Sequence, residues 1–513
     1  MSRSKSFLSG AFFSYLYQGC AMLVGLWLTP FYLRTLGAHD YGIWLVGLQV
    51  LTFLLLADVG VLAVVPRDVA REHGRELSEP QSGRLAVLVA QTAKVVLFQT
   101  LLVALLALGL FFFRVRSVSS LEGPVGLVLL VFVLTYPLRL FGAVLTGLQD
   151  LKFLGQIRIW FWTIATVATV VLLLMGARFY ALACGWCLQE IAGNVTSYWR
   201  LRRIRPDLIG LSSWKMAGSI QWNWFTRGLW VSVSQVSVWL LGGADVIIVA
   251  RVLGPATVVL YSCTSKLVTV LQNQPQALAG IALPGLSQMK ASESRERTMK
   301  ATICLTQGML FVAGAVFTVV LALNQHFVNL WVGAKFFGGT ALTILVVMNF
   351  LVRLIDYTLA LALFAFGYEK ISALRFLLDA VVSTSLAIAL VRPLGLPGVT
   401  AGFLFGASCV AIPIDIYLLA RELKISMMTV IQPYLPYVWR CGVVGAAAFF
   451  AFQRIDIPNL FGLVLAGCAI GVAYLAVMVP HVWRSDLGEY VRMAIAGLES
   501  RMRGRVLGWS DNA

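Results

Sequence analysis

One helical face holds the densest polar chemistry in this chain. Ser262, Lys266, Thr269, Asn273 and Gln276 recur at i, i+4, i+7, i+11 and i+14, the spacing of one side of an α-helix. Gln272, Gln274 and Pro275 add polarity and a break nearby. The run is otherwise apolar, and hydrocarbon does not tolerate such a face. It lines either a water-filled cavity or a polar helix contact, and a lysine in a cavity suits an anionic substrate. Other ionisable residues fall inside apolar runs: Asp58, Lys94, Arg139, Glu190, Arg353, Asp356, Asp379 and Asp415. Each costs about 2.5–3.5 kcal/mol at the centre of a bilayer, so each needs a partner or a task. Arg353 and Asp356 are three apart and can neutralise each other on one helix. Arg139, two residues after Pro137, either lines a cavity or pairs with Glu190. Asp379 and Asp415 are candidates for binding a coupling ion, and so is Asp58, which an interhelical hydrogen bond would also explain.

These residues must be carried by membrane spans. Hydrophobic residues make up 59% of the chain and charged ones 12%, about half the charge of a soluble domain. The expected fold is an all-α integral membrane protein with fourteen transmembrane helices. Apolar runs lie near 7–33, 41–65, 85–113, 125–149, 154–176, 179–199, 221–250, 256–283, 301–323, 341–366, 371–391, 398–420, 437–453 and 459–480. The net charge of +17 does not point to nucleic acid, because the basic residues sit in short loops between these runs. With the N-terminus inside, every inner segment carries at least two Lys or Arg, and only one outer loop does. Lys152 with Arg158, and Lys370 with Arg375, are two of those inner pairs. That alternation predicts both termini in the cytoplasm. Arg3 and Lys5 ahead of a run too long for a signal peptide predict an uncleaved first helix.

The chain also repeats. A shift of 217 residues carries Gln18, Leu23, Gly25, Arg34, Leu36 and Gly37 onto Gln235, Leu240, Gly242, Arg251, Leu253 and Gly254. Two parallel six-helix halves are expected, 1–200 and 215–420, with Gln18 and Gln235 placing amides on the first helix of each. Helices 13 and 14 (437–480) are then an appendage. An amphipathic cytoplasmic tail (481–513) follows, its apolar stripe formed by Trp483, Leu487, Val491, Ala494 and Leu498.

Catalytic and energy-coupling cassettes are absent from the sequence. There is no G-x-x-x-x-G-K-[ST] loop and no H-E-x-x-H. The eight cysteines lie in or beside apolar runs, and Cys184-Gly185-Trp186-Cys187 lacks a second ligand pair, so packing is their expected role. The four histidines have no ligand spacing. No cofactor, no metal and no enzymatic activity are expected.

The first hairpin resembles a known family. Thr29-Pro30, Arg34-Thr35-Leu36-Gly37, Tyr41-Gly42, Ala57-Asp58-Val59-Gly60, Arg67 and Ala70 are similar to the start of bacterial oligosaccharide flippases. These form the polysaccharide-transport branch of the multidrug/oligosaccharidyl-lipid/polysaccharide exporter superfamily. Asp245, Leu253-Gly254 and Tyr261-Ser262 extend the likeness to the second half. The resemblance implies two bundles around a cleft that opens alternately to each side of the bacterial inner membrane. It implies a polyprenyl-diphosphate-linked glycan as substrate, with membrane lipid and a glycan polymerase as neighbours. Lys266, Arg139 and Arg353 would then meet the diphosphate, and Gln18, Gln235, Thr269 and Asn273 the sugars. Trp222, Trp224, Trp230 and Trp239 would stack on sugar faces or anchor at the interface. A peptidoglycan-precursor flippase and a drug/cation exporter share this architecture. An integral-membrane polymerase or ligase would need a larger outer loop than any here.

Overall fold

The computed structural model describes residues 3–54, 61–76, 83–112, 119–210, 223–272, 295–366, 368–489 and 492. All regular structure among them is helical, and eleven helical stretches are long and apolar enough to cross a membrane. The protein is an all-α integral membrane protein. These eleven coincide with eleven of the fourteen expected runs. The other three are the runs at 41–65, 179–199 and 256–283. The first is covered by α2 (Gly37–Leu54), with 55–60 outside the described residues. The second is α8 (Arg178–Ile204), whose Gln189, Glu190 and Asn194 lower its hydropathy. The third is the short apolar helix α10 (Pro255–Leu271), with 273–294 outside the described residues.

The chain divides into two compact units, Met1–Trp239 and Leu240–Ala513. In the first lie α1 (Arg3–Thr35), α2, α3 (Val61–Glu76), α4 (Arg84–Leu110), α5 (Ser119–Thr135), α6 (Arg139–Gly147), α7 (Leu151–Leu174) and α8. The division falls inside α9 (Asn223–Leu253). The second unit continues with α10, α11 (Arg295–Trp331), α12 (Thr340–Ala365), α13 (Glu369–Leu394), α14 (Leu396–Gly406) and α15 (Ile412–Leu423). It closes with α16 (Met427–Ile431), α17 (Leu435–Phe452) and α18 (Leu460–Arg484).

The two turns related by the 217-residue shift are built alike. The chain reverses at Gly37 (φ +82°) after α1 and at Gly254 (φ +94°) after α9. Only glycine takes these angles without a steric penalty, so the reversal is written into the sequence. Pro255 then opens α10 at a position where its missing N–H is not needed.

Two proline breaks matter for the sites. Pro137 ends α5 in a 3₁₀ turn (Tyr136–Leu138), and α6 restarts at Arg139. Pro413 follows a π turn at Ala407–Ala411, and Asp415 stands two residues further on. Each proline thus stands two residues ahead of a charged side chain within a spanning helix.

The C-terminal helices are part of the second unit's core. Tyr437, Cys441, Tyr474 and Met478 are buried with Leu310, Leu359 and Leu363 in one apolar cluster. Gly314 on α11 makes this possible: a Cβ there would stand 2.4 Å from Cys441 Sγ and Tyr474 Oη. The Tyr474 hydroxyl donates to the Phe311 carbonyl at 2.7 Å. Of the expected tail, His481–Arg484 completes α18, while 490–491 and 493–513 lie outside the described residues.

Candidate functional site

The first unit carries an open cleft of about 570 Å³ with mixed polar and apolar walls. Its walls come from α6, α7, α8 and the first unit's part of α9, with Leu62 of α3. Arg139 enters it from the proline break, backed by the Phe132 ring at 4.8 Å. Its guanidinium donates to Glu190 Oε1 at 2.6 Å, and Asn194 donates to the same oxygen at 2.9 Å. Arg139 Nε is buried with no hydrogen-bond partner. Both sequence readings of Arg139 therefore meet: it pairs with Glu190 and lines a cavity.

A second cation sits across the wall. Arg158, two turns into α7, lies over the Tyr17 ring at 4.2 Å, and Tyr17 meets Trp162 edge-on at 5.8 Å. Among the described residues Arg158 has no ion pair. Among the described residues lining the cleft, its charge is left over once Arg139 and Glu190 neutralise each other. Gln189, Gln235, Thr146 and Ser197 add donors and acceptors, and Phe161 and Trp239 add aromatic faces. A cavity of this size and make-up fits a small polar ligand with negative charge. Arginines recognise phosphate oxygens through paired N–H groups, while amides and rings match hydroxyls and sugar faces.

Gln235, expected from the repeat, is in this lining. Gln18 is exposed on α1 and outside it, although its neighbour Tyr17 supports Arg158. Arg158, Gln189 and Asn194 were not singled out from the sequence. Arg158 looked like an inner-loop charge because the run containing it begins within two turns.

The second unit carries a buried ion network. Arg353 on α12 pairs with Asp379 on α13, and its Nη2 also donates to Ser383 Oγ at 3.2 Å and the Phe403 carbonyl at 3.1 Å. Asp356 is 3.7 Å from Arg353 but is engaged mainly by Arg375. Arg375 Nε is 3.1 Å from Asp415 Oδ1. Asp379, Arg375 and Asp415 have side chains at most 1% exposed. Arg375, counted above among inner-loop charges, is thus buried between two carboxylates. The i, i+3 pair of Arg353 and Asp356 exists, but the stronger partners come from other helices.

Lys266 is half-buried on α10, and Thr269 is exposed, donating to the Lys266 carbonyl at 2.9 Å. Among the described residues Lys266 has no ion pair. Asp58, Asn273 and Trp222 lie outside the described residues, as do the side chains of Trp224 and Trp230. Neither cysteine of Cys184 and Cys187 is in a disulfide, and no metal-holding group of His, Cys, Asp or Glu occurs among the described residues.

Known proteins bear on this geometry. The chain is 23% identical over 480 residues to an uncharacterized membrane protein, EpsK, of Bacillus subtilis (strain 168), covering 88% of this chain and 91% of that protein. Among solved structures it is similar to the lipid II flippase MurJ in an inward closed conformation. There the TM-score is 0.63 at 10% identity, over 92% of this chain and all of that one. It is also similar to an inward-facing multidrug resistance transporter of the MATE family and MOP superfamily. That match has a TM-score of 0.55 at 14% identity, over 78% of this chain and 94% of that one. At these identities the structural likeness speaks for a shared fold. The model of the polysaccharide biosynthesis protein family matches residues 7–290, more than half of the sequence, and the chain belongs to that family.

Proposed function

We propose that the protein is a flippase that turns a polyprenyl-diphosphate-linked oligosaccharide from the inner to the outer leaflet by alternating access. The observation that carries this is the first unit's cleft, where Arg158 has no ion pair among the described residues and stands beside amides and aromatic rings. A diphosphate and a sugar chain cannot enter hydrocarbon unaided, whereas a polyprenyl tail can stay in it. In this reading Arg158 and Arg139 take the diphosphate, and Gln235, Asn194 and Trp239 take sugars. Lys266, Arg353, Gln18, Thr269 and Asn273 complete the substrate contacts expected from sequence, with Asp58, Asp379 and Asp415 as ion-coupling groups. Arg353 is the weakest of these, because Asp379 already neutralises it.

The finer architecture belongs to the same proposal: fourteen spans, six-helix halves at 1–200 and 215–420, and a further pair at 437–480. The tail at 481–513 and the N-terminus are cytoplasmic, and the membrane is the bacterial inner membrane. The protein acts as a transporter, with any glycan polymerase a separate partner. The likeness in fold to a lipid II flippase favours a second reading, in which the substrate is a peptidoglycan precursor. A drug exporter for cations is disfavoured, since the cavity's surplus charge is positive.

Binding tests this. Purified protein is titrated with a short-chain prenyl-diphosphate disaccharide and with its uncharged prenyl ether. Salt-sensitive binding of the diphosphate alone is expected. Equal binding of both compounds would remove the role given to the arginines.

A further inference from the structure

The ion network in the second unit does not balance. Two guanidiniums, Arg353 and Arg375, face three carboxyls, Asp356, Asp379 and Asp415. Arg353 and Asp379 form one pair, completed by the Ser383 hydroxyl, which donates to Asp379 Oδ1 at 2.8 Å. Arg375 is left with two carboxyls. It donates through Nη1 to Asp356. Its Nε is close to Asp415 but off the N–H direction, so both Asp415 oxygens are buried without a hydrogen-bond donor. The Asp415 side chain is 1% exposed and shares the Arg375 guanidinium with the Asp356 carboxyl.

Among the described residues no other group supplies the missing charge. The ion pairs around Asp415 among the described residues join Arg375, Asp356, Arg353 and Asp379. The segments α14 (Leu396–Gly406) and α16 (Met427–Ile431) contain no titratable residue, and Cys409 in the π turn is exposed. Ile303 and Leu310 of α11 meet α15 in an apolar cluster with Ile416 and Leu419. A carboxylate with two bare oxygens in such a place is costly, and two carboxylates side by side do not both ionise.

We propose that Asp356 and Asp415 share one exchangeable proton, held between α12 and α15 and balanced by Arg375. A proton fits better than a metal ion. It needs one donor and one acceptor oxygen, which this pair provides. A sodium ion needs several oxygens, and here the guanidiniums of Arg353 and Arg375 already occupy the surrounding oxygens and repel a cation. The assignment makes the pair a proton-binding site. Its use in driving transport rests on the flippase reading above, while the presence of the proton does not.

Infrared spectroscopy of the purified protein tests the proton without any substrate. The wild type minus Asp415→Asn difference spectrum at neutral pH should contain one protonated-carboxyl C=O band that shifts down in D₂O. Asp356→Asn should remove the same band, since either amide leaves two carboxylates against two guanidiniums. This second variant also serves if the first does not fold. A difference spectrum without that band in both variants would overturn the proposal. So would a wild-type band that sodium chloride abolishes and potassium chloride does not, because the site would then take a metal ion.

Discussion

Arg353 and Asp379 offer an unequal pair, and the inequality can be worked out from their surroundings. Asp379 is fully buried and, without Arg353, would keep only the Ser383 hydroxyl. Arg353 is 19% exposed and, without Asp379, would still have Asp356 at 3.7 Å and the Phe403 carbonyl at 3.1 Å. Arg353→Met therefore strands a buried carboxylate, at a cost of about 3–5 kcal/mol. Asp379→Asn removes a charge from a cation that keeps other acceptors, at about 1–2 kcal/mol. At about 2 °C per kcal/mol, the midpoint of thermal unfolding should fall by roughly 6–10 °C for the first and 2–4 °C for the second. The double variant Arg353→Met, Asp379→Leu should lie closer to wild type than Arg353→Met alone, since no bare charge remains. Intrinsic fluorescence on heating in detergent, at one scan rate, measures all four proteins. An Asp379→Asn drop larger than that of Arg353→Met would refute this account of the network.

Three further outcomes are expected. Gly142 lines the first unit's cavity with nothing within 4 Å of where a Cβ would stand. Gly142→Leu should therefore keep or raise stability, by up to about 1 kcal/mol from helix propensity, while blocking transport; unchanged transport would move the substrate out of this cavity. Gly402 on α14 lies against α13, a Cβ there meeting the Ala387 nitrogen at 2.3 Å. Gly402→Val should force these helices apart and cost about 1–3 kcal/mol, read as lost monodisperse protein on size exclusion. The hydrogen bond from Arg205 holds the Asp207 carboxyl below the usual carboxylate range. Its folded value is lowered, so its contribution is present above the ordinary carboxylate range and lost as pH falls through the folded value. The midpoint difference between wild type and Asp207→Asn should thus shrink on acidification, and a difference that grows would contradict the sign.

The sequence made the spans legible because twenty apolar residues leave few alternatives. The glycine turns at 37 and 254 are legible too, since they rest on backbone chemistry local to each residue, whereas the 3₁₀ turn at Pro137 and the π turn ahead of Pro413 are seen only in the structure. Ion partners are a different matter. The partners of Arg353 and Arg375 lie on other helices, at Asp379, Asp356 and Asp415, and helical spacing reports only neighbours on the same helix. Hence spacing alone pairs Arg353 with Asp356. Arg375 and Arg158 both lie about two turns from a helix start, where a long side chain can reach water, so spacing alone makes them loop charges. Arg375 is instead buried, and Arg158 is turned toward Tyr17.

The central claim is that the cleft holding Arg139 and Arg158 carries a lipid-linked sugar diphosphate across the membrane. Liposomes containing the purified protein and a fluorescent polyprenyl-diphosphate oligosaccharide measure this directly, with a quencher that reaches only the outer leaflet. The account predicts that the inner half of the label becomes quenchable in wild type, and at least tenfold more slowly in Arg158→Gln, a loss of about 1.4 kcal/mol. Wild-type protein that exchanges no label beyond empty liposomes would contradict it.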